Sequence, residues 1–503
     1  MATPITTNLE QNINAFIELF KDSADIKKRK MKLGKGMKLE CFIAYIEISV
    51  GNMMMEQSVI GKLLNTMWEM PEEKILSYIR ENSFGISDVT EFCTIEEAAS
   101  GMLTGDAIFM INGYDRALKI PDKGYPGMAL KEPTSEKVIR GSNEGFTESI
   151  KVNTALIRKR LRTPKVKVKE VFAGQRSNTN VDLVFMEDLV EPDLLKTIEK
   201  RLDRFKIDAV LDSGVVEQLT EGSWYSPFPQ FQTTQRPDRA AMAILEGRVV
   251  LLTDNSPIAL ILPTGYNSFI QTSDDYYNRW EIASFTRLLR YVASFLAMVL
   301  PGLYLAMTNF HTHILPTDLL VSFAAARQGV PFPAMMEVLI MECAFELLRE
   351  AGVRLPGAMG STIGIVGGLI IGQAAVEANI VSPIVVIIVA LTALCSFAVP
   401  NEEFATAFRI LKFGFIFLCA QLGFFGFLLG ILCVLIHLSH LESFGIPYLM
   451  PFIGPELNGY EDERDTIVRL PLKWMKKRPI YTRRGARTRL KIDEGDNKKN
   501  VLK

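Results

Sequence analysis

The chain has 503 residues, a formal net charge of −1 and 48% hydrophobic residues. That length has room for two to four domains at roughly 150 residues each, and the near-neutral balance gives no signature of nucleic-acid binding. Six cysteines, scattered without Cys-x-x-Cys spacing, argue against a disulfide frame or a zinc site.

Hydropathy splits the chain: residues up to about Trp280 read as a soluble protein and Phe285 to Leu438 as membrane. Residues 1–38 read as an N-terminal helix and a basic linker. Asn8 to Lys21 carries Ile13, Phe16, Ile17 and Phe20 at helical spacing, an amphipathic helix and not a signal peptide. With no export signal before about residue 285, the N-terminal part is expected in the cytosol. Lys27, Lys28, Arg29, Lys30, Lys32, Lys35 and Lys38 read as a solvated linker, with anionic lipid headgroups as the alternative contact. A first α/β unit is expected over residues 39–137, with strands at Cys41–Ser49 and Ala107–Asn112 and helices at Gln57–Glu69 and Ile95–Met102. A second spans residues 138–284. Thr147 is expected to cap a helix through Arg162, which Pro164 ends. Strands are expected at Val166–Phe172, Val181–Met186, Val249–Thr253 and Ile258–Leu262, and helices at Pro192–Phe205 and Asp238–Glu246.

Motifs for chemistry are sparse. The sequence has no Gly-Lys-Ser/Thr phosphate loop, no Gly-x-Gly-x-x-Gly after a strand and no His-Glu-x-x-His, so neither an enzyme nor a cofactor is expected. His311 and His313, and His437 and His440, have spacings that bind metals but read more simply as interfacial pairs, and no metal is assigned. Asp274 and Asp275 lack a nucleophile or base partner and read as structural or helix-capping.

The membrane domain is expected over residues 285–440, with spans at Leu288–Met307, Ile384–Val399 and, as one long helix, Phe413–Leu438. The stretch Gly357–Glu377 is apolar and uncharged until Glu377. Gly360, Gly364, Gly368 and Gly372 recur at every fourth position, the spacing that lets helices pack closely in lipid. Thr362, Val366, Leu369, Gln373 and Glu377 gather on the opposite side, a face that could line a pore. A tightly packed bundle helix without a pore fits the same pattern, and pairing with Arg354 or a partner subunit at the membrane surface is an alternative role for Glu377. Between Pro331 and Leu355, Glu337, Glu342 and Glu346 leave it open whether the segment is re-entrant, interfacial or spanning. Residues 441–503 form a basic tail, cytosolic by the positive-inside rule. Both termini then share one side and the spans are even in number. Four is the simplest count, and six follows if Leu315–Ala325 inserts.

Several runs resemble the A subunits of spore germinant receptors, the GerA family of spore-forming bacteria. They include Glu132-Pro-x-x-Glu136, Val138-Ile-Arg-Gly with Glu144-Gly-Phe-Thr-Glu148, Asn153-Thr-Ala-Leu-Ile-Arg158 and Arg236-Pro-Asp238. Others are Asp274-Asp-Tyr-Tyr-x-Arg279, Pro331-Phe-Pro-Ala, Phe345-Glu-Leu-Leu-Arg-Glu-Ala-Gly352 and Ile365 through Glu377. The family usually has proline and a basic residue where Ser142 and Asn143 stand, and glutamate where Gln235 stands. The resemblance implies a cytosolic N-terminal region of two α/β subdomains and an α-helical polytopic membrane domain in the inner spore membrane. It implies a complex with a transporter-like B subunit that senses the nutrient and a lipoprotein C subunit, and a homo-oligomer that forms a cation channel lined by the glycine helix. A stage V sporulation paralogue, a small-solute transporter and a membrane-anchored scaffold are the alternatives.

Overall fold

A computed structural model describes residues 3–47, 67–80, 90–120, 132–133, 136–354 and 372–491. The helix expected at Gln57–Glu69 falls mostly outside them.

Asn8 accepts from the amides of Glu10 and Gln11 and so caps α1 (Leu9–Leu19), whose Leu9, Ile13 and Phe16 are buried. The basic run behind it is not a solvated linker. Ile26 and Leu33 are buried at its two ends, and it forms β1 (Ile26–Leu33), paired antiparallel along its whole length with β2 (Leu39–Ile46). The lysines stay near the surface beside carboxylates, Lys27 on Glu47, Lys30 on Glu10 and Lys32 on Glu40. Charge density favoured a linker; backbone pairing to the apolar run of β2 decided the outcome. Helix α2 (Glu72–Arg80), β3 (Thr90–Phe92), α3 (Ile95–Leu103), β4 (Ala107–Ile111) and β5 (Ala117–Ile120) complete an antiparallel sheet ordered β1-β2-β4-β5-β3. Helices α1 and α3 cover one face, and α2 covers the other.

The second subdomain repeats this plan. Its elements are α4 (Ile150–Arg160), β6 (Val166–Ala173), β7 (Thr179–Met186), α5 (Pro192–Leu202), α6 (Ser213–Thr220), β8 (Gln232–Thr234), α7 (Pro237–Leu245), β9 (Val249–Thr253) and β10 (Ala259–Leu262). The sheet order is β6-β7-β9-β10-β8, the same permutation as the first. Helices α4 and α7 take the face held by α1 and α3, and α5 and α6 take the other. A shared polar lock precedes both sheets. Asn12 accepts from the Thr6 amide (2.9 Å) and donates to its carbonyl (2.6 Å), and Asn153 does the same with Thr147 at 2.8 and 2.7 Å. Thr147 is therefore part of the lock and not the cap; Ser149 holds the N-cap position of α4, and the helix ends at Arg160, short of the expected Arg162. The subdomains join through the Ser23–Val168 bridge and a buried pair, Arg158 Nε to Asp25 at 2.8 Å.

After α8 (Tyr266–Ile270) and α9 (Asp274–Tyr277) the chain enters a helix-rich region: α10 (Trp280–Asn309), α11 (Thr317–Ala326), α12 (Ala334–Arg354), α13 (Pro383–Phe397), α14 (Glu402–Leu422) and α15 (Phe424–His440). Two of these, α10 and α14, are long and apolar enough to cross a membrane. The single span expected at Phe413–Leu438 is instead two helices broken at Gly423, where φ is 59° and ψ −135°. Phe415 and Phe427 lie 6.4 Å apart by ring centroids, whereas a straight helix would separate twelve positions by about 18 Å. Apolar periodicity continues through Gly423, so only the backbone reversal at that residue marks the hairpin. A Cβ on Gly423 would lie 2.9 Å from Phe310, which closes the turn to other residues.

The C-terminal segment is folded onto the body of the protein. Tyr448 is buried among Phe228, Phe269 and Phe404, Thr482 donates to the Glu246 carbonyl and the Arg483 amide to that of Leu189.

Candidate functional site

Glu342, Glu346 and Arg349 follow one another at four- and three-residue steps, so they share one face of α12. Glu402, Arg409 and Lys412 share a face of α14 by the same rule. The two stripes meet. Lys412 Nζ donates to Glu342 and lies 3.4 Å from Glu346; Arg409 lies 3.1 Å from both Glu346 and Glu402; Arg349 reaches Glu402 at 2.6 Å and donates to Ser396 Oγ at 3.3 Å. The carboxylates of Glu342, Glu346 and Glu402 balance Lys412, Arg409 and Arg349, so the network carries no net charge. The Lys412 and Glu342 side chains are 3% and 1% exposed. Removing Lys412 leaves the buried Glu342 without its cation, a loss of about 3–5 kcal/mol. Buried ionisable groups of this kind mark candidate functional sites.

A second buried carboxylate lies at the opposite end of α12. Glu337 accepts the Ser382 amide at 2.8 Å at the N-terminus of α13 and pairs with Arg327 at 3.2 Å. A carboxylate there is favoured by the helix dipole. The contacts fix the helix directions. Glu337 of α12 meets the start of α13 and Arg349 meets its end, so the two run parallel, α12 ending beside Ser396 and Glu402.

At the base of the bundle, Asp275 is held by Arg290 at 2.9 Å and by Arg287 at 3.4 Å. Arg287 also reaches Asp465 in the C-terminal segment at 2.8 Å, and Tyr276 donates to Asp465 at 2.6 Å. Arg469 donates to the Asn278 carbonyl at 3.0 Å. The sheet part, the first long helix and the C-terminal segment thus share one buried cluster. Burial, reinforced by the charge on Asp465, pushes the Tyr276 hydroxyl pKa well above its usual value, so it remains a donor. Asp275 is structural, as the sequence suggests, but its arginine partners sit 12 and 15 residues on. The fourth member, Asp465, has no local signal at all.

Of the stretch Gly357–Glu377, residues 372–377 are described, and these include Gly372, Gln373 and Glu377. Gly372 is buried, and a Cβ placed on it would lie 3.5 Å from Val386 of α13; Gln373 and Glu377 are exposed. Thr362, Val366, Leu369, Gly360, Gly364, Gly368 and the Arg354 side chain lie outside the described residues. His311 lies at the far end of α10 against Phe424, and His437 bonds Ser226 at 2.9 Å and stacks on Phe228. Among the described residues no three His, Cys, Asp or Glu side chains are grouped to hold a metal.

Residues 14–481 match the family described as Bacillus/Clostridium GerA spore germination protein. The chain is 39% identical to uncharacterized membrane protein YfkQ of Bacillus subtilis (strain 168), over 99% of this chain and 96% of that one. It is 38% identical to spore germination protein KA of the same organism, over 94% and 87% of the two chains, and 37% identical to spore germination protein A1, over 92% and 94%. The crystal structure of the N-terminal domain of the A subunit of the Bacillus megaterium germinant receptor GerK3 aligns at 28% identity and a TM-score of 0.41, covering 52% of this chain and 97% of that one.

Proposed function

The chain belongs to the GerA family of spore germination proteins, and from that premise we propose that it is the channel-forming A-type subunit of a nutrient-germinant receptor. It is a membrane-associated protein of the germinant-receptor family, not an enzyme. In this reading it crosses the inner spore membrane several times, assembles with copies of itself around a cation path, and works beside a transporter-like B subunit and a lipoprotein C subunit.

One observation carries the reading. Helix α12 ends beside Ser396 and Glu402, while Gly372 packs against Val386, one turn into α13. Along the 15-residue α13 these levels, marked by Val386 and Ser396, are separated by about 15 Å. The glycine stretch that joins them is long enough to cross, at about 27 Å if helical. Crossings by α10, α12, the glycine stretch, α13, α14 and α15 number six and keep both ends on one side, which the basic C-terminal segment assigns to the cytosol. This count differs from the four-span scheme because α12 crosses and Phe413–Leu438 turns back. The buried Gly372 beside exposed Gln373 and Glu377 supports a helix whose glycine face packs inward while Thr362, Val366, Leu369, Gln373 and Glu377 face a path shared between subunits.

Reversal potentials of the protein in liposomes test this. Wild type is expected to pass cations over anions, Glu377→Gln to weaken that preference, and Val366→Ala to leak without stimulus as the apolar constriction loosens. Gly364→Leu is expected to disrupt oligomers by forcing helices apart. Unchanged leak and selectivity in oligomers that remain intact would remove the glycine stretch from the path.

A further inference from the structure

Apolar and aromatic side chains gather where the second subdomain meets the bundle. Trp224 and Tyr225, on the loop after α6, are 85% and 68% exposed. Tyr225 sits edge-on to His437 in the last turn of α15, with ring centroids 6.1 Å apart. The C-terminal segment lies beside the first half of α10. The Ser284 hydroxyl of α10 donates to the Arg469 carbonyl at 3.1 Å and accepts from its amide, and Phe452 meets Tyr291 edge-on at 6.4 Å. This segment leaves Phe452, Leu472 and Trp474 exposed, and Trp280 opens α10. Directly above, the outward face of α10 is a continuous apolar surface of exposed Phe285, Leu288, Leu289 and Val292. Lys473 and Lys476 are exposed between the apolar residues, and no ion pair to either is formed among the described residues.

We propose that Trp224, Tyr225, Trp280, Phe452, Leu472 and Trp474 seat the second subdomain in the headgroup layer of the bilayer that α10 crosses, with Lys473 and Lys476 on anionic phospholipid. The inference rests on that crossing. Tryptophan and tyrosine favour this layer because an apolar ring and a polar N–H or O–H are both satisfied there. Lysines beside it gain from a negative surface. Two segments more than two hundred residues apart in sequence supply aromatics, one beside the end of α15 and the other beside the first half of α10. The patch is also continuous with the apolar face of α10, which a water-exposed surface has no reason to be. The C-terminal segment is thereby a membrane seat as well as a strap onto the sheet part.

The full chain in nanodiscs tests this with one tryptophan kept at a time and the others changed to phenylalanine, using lipids brominated near the headgroup or near the chain end. Trp474 and Trp224 are expected to be quenched by the shallow bromines, and Trp68, on the first subdomain, by neither. A Phe295→Trp reporter is expected to be quenched by the deep bromines, which checks the crossing independently. Lys473→Glu with Lys476→Glu is expected to roughly halve the shallow quenching of Trp474 in discs with phosphatidylglycerol and to leave it unchanged in phosphatidylcholine alone. Trp474 and Trp224 quenched no more than Trp68, while Phe295→Trp reports the core, overturns the seat and leaves the crossing standing; a partner protein or water then covers the patch. Equal loss in both lipids overturns the role of anionic headgroups. A Phe295→Trp reporter untouched by deep bromines overturns the crossing and the seat together.

Discussion

The two sheet subdomains share a strand order, a helix placement and an asparagine lock, yet among the described residues it is the second that is built into the helix-rich region. The first contacts its sister through Arg158–Asp25 and the Ser23–Val168 bridge and presents its outer strand, β1, as a lysine-rich surface. The second is clasped by the C-terminal segment and joined to α10 through Asp275, Arg287 and Asp465. Topology follows from where apolar residues recur. Role follows from what is packed outside the shared frame, so one fold serves as a peripheral unit and as the base of a helix bundle.

Breaking the base tests this most sharply. Arg287→Ala removes a buried cation from between two carboxylates and is expected to cost about 3–5 kcal/mol, read as a lowered thermal midpoint in detergent. Hydrogen exchange is expected to rise around Asp465 and Arg469 and stay unchanged in α1 and β2. Equal loosening of the first subdomain would contradict its peripheral status.

The asparagine locks sharpen the comparison from the side of likeness. Asn12→Ala and Asn153→Ala each leave a part-buried amide and carbonyl of Thr6 or Thr147 without their side-chain partner, a loss of about 1 kcal/mol. Each is expected to increase exchange only in its own leading helix. A much larger global effect for one would mean the two locks are not equivalent.

The last test, read as a change with pH, concerns the seam between the two subdomains. Burial, with Glu170, Asp25 and Asp254 adding repulsion, pushes the Asp182 carboxyl up to about 8. The folded protein then keeps a proton that the unfolded chain releases near pH 4. This contribution is greatest below about pH 4, declines as pH rises towards 8 at no more than about 1.4 kcal/mol per unit, and levels off above. Asp182→Asn is expected to flatten the decline, so the variant melts above wild type at pH 8 and close to it at pH 4. Parallel pH profiles would show that Asp182 is ionised in the folded state.

Local pattern carried much of this. Val249–Thr253 forms a strand with the expected bounds, and Ile95, Val166 and Pro192 each open an element where periodicity and proline placement put it. Membership in the germination family was legible in runs such as Phe345 to Gly352, because many side-chain identities in fixed order are specific where a short motif is not. Three things were settled by tertiary structure alone. The lysine-rich stretch became a strand because its partner, β2, lies beyond a turn and gives its backbone a ladder. The last apolar run folded into a hairpin because Gly423 adopts a backbone conformation that hydropathy does not register. Asp465 completed the base of the bundle from nearly two hundred residues away. Periodicity reports the face a residue offers to its own element; pairing of buried charges and reversal of the chain depend on which distant element arrives there.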